Sequence, residues 1–173
     1  AKVYLFQQNY ADAETYLMEV INSGEYSLEP VFTDANSEAG EHRVESVFEI
    51  GALGVEADPG DQYANVQGVR GTPNRGWGFN RPSMDLRDNV FENDDPRWSG
   101  TIIELGDVID GIEIIGDGTT PNETLDDEGN VIEVECYNRK VWTNGNNVPT
   151  QFGHNRRILR YADVLLMSAE VLN

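Results

Sequence analysis

Ile158-Leu159-Arg160-Tyr161-Ala162-Asp163-Val164-Leu165-Leu166-Met167-Ser168-Ala169-Glu170-Val171-Leu172 carries the clearest periodicity in the chain. Ile158, Tyr161, Ala162, Leu165, Leu166, Ala169 and Leu172 fall on one stripe, the spacing of a helix with one buried face. Arg156, Arg157 and Arg160 crowd the start of this run. Cations sit poorly at a helix N-terminus, where the peptide dipoles favour acids, so these arginines are expected to pair with surrounding carboxylates. A stripe this apolar, cut off at Asn173, wants a partner, expected downstream of these residues.

At the other end of the chain, Ala1, Tyr4 and Leu5 close a first short helix. Asn9 with Asp12 three residues on resembles a capping box that opens a second. Ala13, Tyr16, Leu17, Val20 and Ile21 then share one helical face, and Gly24 stands where a left-handed residue stops a helix. The alternation of small and aromatic residues suits a tetratricopeptide unit and any other amphipathic hairpin equally well.

The intervening residues, 25–154, read as loop and short strand. Ser46–Ile50, Ile112–Ile115 and the alternation of Ile132, Val134 and Cys136 are strand signals, the last introduced by the turn Asp127-Glu128-Gly129-Asn130. Ser83-Met84-Asp85-Leu86 reads as a helix start, with Leu86, Val90 and Phe91 on its buried side. Gly51–Asn80 is glycine-rich and aperiodic, a long loop of the kind that carries function on a rigid scaffold.

Composition excludes several classes of function. The 173 residues hold 12 Lys+Arg against 31 Asp+Glu, a formal net charge of −19. Phosphate backbones need a basic face, so nucleic acid is not an expected partner, and an anionic membrane surface repels such a chain. No apolar run approaches the ~18 residues of a membrane span. With one cysteine, Cys136, neither an internal disulfide nor a multi-cysteine zinc site can form. The chain opens at Ala1 without a methionine and stops inside its last periodic run, so it is expected to be a piece of a longer protein.

Motifs of catalysis and metal binding are missing. His42 and His154 stand far apart, and no nucleophile elbow, zinc-helix motif, Walker loop or dinucleotide fingerprint occurs. Cys136, inside an alternating strand, reads as core. Asp107, Asp110, Asp117, Asp126, Asp127 and Glu128 are oxygen donors of the type calcium prefers, but the spacing of a calcium loop is not reproduced, so they read as a solvated acidic loop. No cofactor and no metal are expected.

The aromatic residues carry the positive signal. Sugar rings are recognised by flat aromatic faces together with planar amide and guanidinium hydrogen-bonders. Tyr63, Asn74, Arg75, Trp77, Phe79 and Asn80 supply such groups close together in the long loop, beside Gln62 and Asn65. Trp98 and Trp142, in more regular surroundings, read as core. Trp77, between Gly76 and Gly78, reads either as a ligand platform or as packing, because glycine admits a ligand or another backbone.

Several of these stretches, in order along the chain, resemble the SusD/RagB-like family of bacterial outer-membrane nutrient-binding lipoproteins. The matching residues are Val20-Ile21-Asn22-Ser23-Gly24-Glu25-Tyr26-Ser27-Leu28, Glu45–Ile50, Gly76-Trp77-Gly78, Pro82-Ser83, Asp85-Leu86, Phe91, Asp95-Pro96-Arg97, Tyr137-Asn138-Arg139-Lys140 and the Leu159–Asn173 run. The resemblance implies a mostly α fold, in which tetratricopeptide-like helix pairs carry long irregular loops and short β-hairpins. It makes residues 1–173 a fragment of a single SusD-like domain, with scaffold pieces at 1–24 and 155–173. It further implies a lipid anchor in the parent protein, a TonB-dependent SusC-like transporter as partner, and glycan capture for import without cleavage. Peptide capture and a pure interaction scaffold are the alternatives on the same architecture. The lipid-bearing cysteine belongs at the family's N-terminus, so Cys136 is not that residue. Ser168, where the family commonly has an aromatic, and the acidic 107–128 segment depart from the family pattern. The charge adds an expectation of its own: a neutral oligosaccharide is favoured over an anionic polymer, which the acidic surface repels.

Overall fold

The computed structural model describes residues 1–53, 62–143 and 153–173. Helix α1 (Lys2–Phe6) leads into α2 (Tyr10–Ser23), and both ends of α2 are set locally. The Asn9 side chain accepts the Asp12 amide and its own amide donates to the Asp12 carboxylate at 2.7 Å, while Gly24 stops the helix at φ +70°. Ala13 and Leu17 are buried on the face that meets α6 (Tyr161–Leu172), and Tyr4 stacks on Tyr16 with ring centroids 5.5 Å apart.

The last helix begins later than its periodicity suggests. Residues Arg156–Arg160 form strand β8, antiparallel to β1 (Ser46–Ile50), so Ile158 belongs to a strand and not to the helical stripe. Two features decide this. The Asp163 carboxylate accepts the Arg160 amide at 2.9 Å and fixes the helix start at Tyr161. Arg160 Nη1 meets Glu45 Oε1 at 2.9 Å, and Arg157 meets Glu41 at 3.4 Å and Glu49 at 3.3 Å. Extended backbone directs these two guanidinium groups to acids a helix would not reach. Arg156 has no such carboxylate among the described residues; its guanidinium lies 4.9 Å over the Tyr63 ring.

The main core lies away from the helices. Val69, Ile103, Ile109, Ile114, Tyr137 and Trp142 cluster beneath two ribbons, one pairing β2 (Ile102–Glu104) with β7 (Cys136–Asn138) and the other β3 (Val108–Ile109) with β4 (Ile112–Glu113). A fourth ribbon pairs β5 (Glu123–Leu125) with β6 (Val131–Val134) across the turn expected at 127–130. Two-stranded ribbons are marginal alone, and the β2–β7 and β3–β4 ribbons hold here because they share one core. The described residues are 37% helical with 19% strand, which does not support the mostly α expectation. The reason is that short runs of β-formers pair throughout 25–154, β3 with β4 and β5 with β6 as local hairpins, β2 with the distant β7, and β1 with β8 beyond that stretch.

Smaller readings are also revised. The strand expected through Ile132, Val134 and Cys136 breaks into β6 and β7 at Glu135, which is buried between them. Strand β4 is shorter than Ile112–Ile115: Ile114 turns into the core and Ile115 faces solvent. Helix α4 (Met84–Asp88) starts as expected, with Ser83 accepting the Leu86 amide, but Val90 lies beyond its end and is exposed. In the expected loop Gly51–Asn80, residues 54–61 lie outside the described residues, and Gln62–Gln67 form helix α3. Cys136 is buried, as read from its strand pattern. Helix α5 (Pro96–Ser99) is capped by Asp95, which accepts the Arg97 amide at 2.8 Å.

Candidate functional site

Helix α3 ends on a chain that folds back over it. The Trp77 amide donates to the Asn65 carbonyl, Phe79 to Val66, Gly78 to Gly68 and Arg75 to Val69, all at 2.7–2.9 Å. These donors satisfy the carbonyls a helix C-terminus leaves unpaired. The crossing is tight: a Cβ on Gly68 would fall 2.0 Å from the Arg75 carbonyl oxygen, and one on Gly76 2.3 Å from that of Asn65. Glycine beside Trp77 therefore serves backbone approaching backbone.

This anchoring sorts the candidate binding residues. Trp77 and Phe79 are 52% and 58% exposed, edge to face with centroids 6.1 Å apart, and form an aromatic surface on a braced backbone. Asn74 is exposed next to them. Asn80, at φ +51°, donates from Nδ2 to Gln67 Oε1 at 2.6 Å. Arg75 points the other way, 5% exposed, with its guanidinium 6.0 Å from the Trp142 ring. Tyr63 is half-buried on α3 and borders a separate cavity. Of the other tryptophans, Trp142 is buried with Nε1 donating to Asp110 Oδ2 at 2.7 Å, and Trp98 is half-buried with Nε1 donating to the Arg87 carbonyl.

The cavity beside Tyr63 holds about 390 Å³ and is bordered by Asn36, Asn138, Lys140, His154 and Arg156. It adjoins the aromatic surface through Gln67, whose Oε1 also accepts Asn138 Nδ2 at 3.1 Å. Burial pushes the Lys140 ammonium pKa down, and the neighbouring Arg160 adds to the effect. Asn36, Asn138, Lys140, His154, Arg156 and Gln67 were not singled out from the sequence as binding residues. They come from separate segments, and the one local signal was a basic pair, Arg139-Lys140, in a strongly acidic chain.

Two carboxylates of the acidic 107–128 segment hold its own turns, while Asp110 accepts from the Trp142 indole. Asp117 accepts the Thr119 and Thr120 amides at 2.8 and 2.7 Å, and Asp126 accepts those of Glu128 and Asn130. Among the described residues no group of three or more His, Cys, Asp or Glu is placed to hold a metal. The Cys136 thiol is buried and its pKa is raised by that burial, unlike a catalytic thiolate. No helix among the described residues is long and apolar enough to cross a membrane.

The arrangement of these helices, ribbons and loops is the SusD-like fold. Surface glycan-binding protein A of Bacteroides thetaiotaomicron, solved in complex with laminarihexaose, superposes with a TM-score of 0.71 at 24% identity, covering 98% of this chain and 40% of that one. Surface glycan-binding protein A of Bacteroides uniformis gives 0.68 at 21% identity over 97% of this chain and 34% of that one. A laminarin-binding SusD-like protein gives 0.69 at 21%, over 99% and 41%. The chain thus spans well under half the length of these solved chains. No protein-family model and no curated protein matches the sequence.

Proposed function

We propose that the chain is part of a cell-surface protein that binds oligosaccharide without cleaving it and passes it to a TonB-dependent, SusC-like transporter in the outer membrane, the parent protein being held there by a lipid anchor. The observation that carries the binding role is the exposed Trp77–Phe79 pair on a backbone braced through the amides of Arg75, Trp77, Gly78 and Phe79. A stacking face needs to be both accessible and rigid, since a mobile one loses affinity to ordering entropy. The likeness to proteins whose names record glycan and laminarin binding supports the ligand class. The net charge favours a glycan with a neutral backbone.

In the same reading, α1, α2 and α6 are part of a tetratricopeptide-like array. The mutual packing of the three helices and the exposed Phe6, Leu166 and Leu172 along them support it.

Affinity electrophoresis against a panel of neutral and acidic polysaccharides tests the proposal. Retardation by a neutral glycan, lost in Trp77→Ala, is the expected result. Migration unaffected by every polysaccharide overturns it in favour of a scaffold or peptide-binding role.

A further inference from the structure

The cavity beside Tyr63 has an electrostatic character opposite to the rest of the molecule. In a chain with 31 acids against 12 bases, no carboxylate lines it among the described residues, whereas Lys140, Arg156 and Arg157 do. Arg157 is already neutralised by Glu41 and Glu49. Lys140 and Arg156 are not ion-paired to any described acid; each lies instead over an aromatic ring, Lys140 over Phe32 at 5.7 Å and Arg156 over Tyr63 at 4.9 Å. Cations kept apart from the abundant surface acids are available to an incoming anion.

A second observation concerns neutral hydrogen bonding at the same place. His154 is 3% exposed, and its Nε2 lies 2.7 Å from the Asn36 carbonyl oxygen. A carbonyl only accepts, so Nε2 carries a proton, and in the neutral form of the ring Nδ1 is an acceptor. Among the described residues that Nδ1 is buried without a partner, and so is the Asn36 side-chain Nδ2, a donor. Buried polar atoms left unpaired are destabilising. Both residues border the cavity, and once their side chains turn toward it a sugar hydroxyl can donate to the one and accept from the other.

We propose, building on the glycan-binding reading, that this cavity is a subsite for one acidic sugar residue of an otherwise neutral glycan. Lys140 and Arg156 hold its carboxylate or sulfate, and His154 and Asn36 hold its hydroxyls. The overall charge does not conflict with this. Its field is screened over roughly 8 Å at physiological ionic strength, so a single acidic substituent seated at Lys140 is attracted, while a polymer charged at every residue is still repelled by the surrounding surface. Gln67 connects the two places, its Oε1 accepting from Asn80 beside the aromatic pair and from Asn138 at the cavity.

Calorimetric titration of the protein with D-glucuronate, D-glucose and glucose 6-sulfate tests the subsite. Glucuronate is expected to bind about tenfold or more tightly than glucose, the gain of a charge-assisted hydrogen bond, and to weaken as salt is raised. Lys140→Met should reduce it to the glucose level, and the exposed Arg156→Gln, which leaves the buried surroundings untouched, should weaken it in the same direction. Tighter binding of glucose 6-sulfate supports the subsite and assigns the substituent to sulfate. Equal binding of glucuronate and glucose, or glucuronate binding insensitive to both substitutions, overturns the inference. If a neutral polysaccharide is still retarded in a Trp77-dependent way, the glycan reading survives that failure; if no polysaccharide is retarded, both fall.

Discussion

A Cβ on Gly76 would stand 2.7 Å from the Cα of Gly68, closer than two carbons can approach without one backbone moving. Neither side of this contact has a rotamer that can yield. Gly76→Ala should therefore destabilise the protein by ~1–3 kcal/mol, the range of core overpacking, read as a lower urea midpoint at unchanged m-value. Because the same crossing places Trp77, glycan binding should fall with it even under conditions where the variant is fully folded.

Trp77→Ala separates stability from binding. The ring is half-exposed and meets Phe79 at its edge, so the variant should melt within ~1 kcal/mol of the parent, as exposed substitutions usually do. Its affinity for a retarding polysaccharide should fall tenfold or more, the loss of about 2 kcal/mol typical of an aromatic anchor. Binding left intact in this variant would show that the glycan is held elsewhere.

Glu135 and Tyr137 form a buried polar pair under the main core, the phenol donating to the carboxylate. Burial, and then Glu135, hold the phenol pKa well above its ordinary value. Tyr137→Phe removes the donor and leaves the carboxylate with Arg70 at 3.8 Å. A loss of ~1–3 kcal/mol in urea denaturation is expected, since a buried charged acceptor forfeits a hydrogen bond.

Asp117 gives the molecule a pH dependence of known sign. The Thr120 amide, the Thr119 amide and the Thr120 hydroxyl all donate to its carboxylate and hold its pKa well below the ordinary carboxylate value. A carboxyl with a lowered folded pKa contributes its stabilisation in full above the unfolded value, about 3.9, and loses it as pH falls through the folded value. Asp117→Asn should thus melt below the parent at neutral pH, with the difference shrinking as pH falls below about 4. Thermal melts across that range check it.

What could be read from the sequence divides by range of interaction. The Asn9 cap, the Gly24 stop and the Ser83 helix start involve groups within four residues of one another, and each is where its pattern puts it. Arg156–Arg160 carries a helical stripe but pairs with Ser46–Ile50, a partner that periodicity cannot reveal. The aromatic surface was legible as composition, yet Arg75 turns inward beneath it because its amide is tied to Val69. His154 gave no local sign and Lys140 only that of its basic pair with Arg139, since the two meet at the cavity only through the fold.

The β1–β8 ribbon, with Ser46 opposite Arg160 and Ile50 opposite Arg156, draws together the two ends of the ribbon-and-loop region beside the helices. Each doubling of a closed loop adds only about 0.6 kcal/mol to the entropy of closure. The stretch between these strands can therefore be lengthened, shortened or exchanged at little thermodynamic expense while the helices stay as they are. In evolutionary terms the ribbon is a splice point, at which one architecture can be refitted for a different polymer.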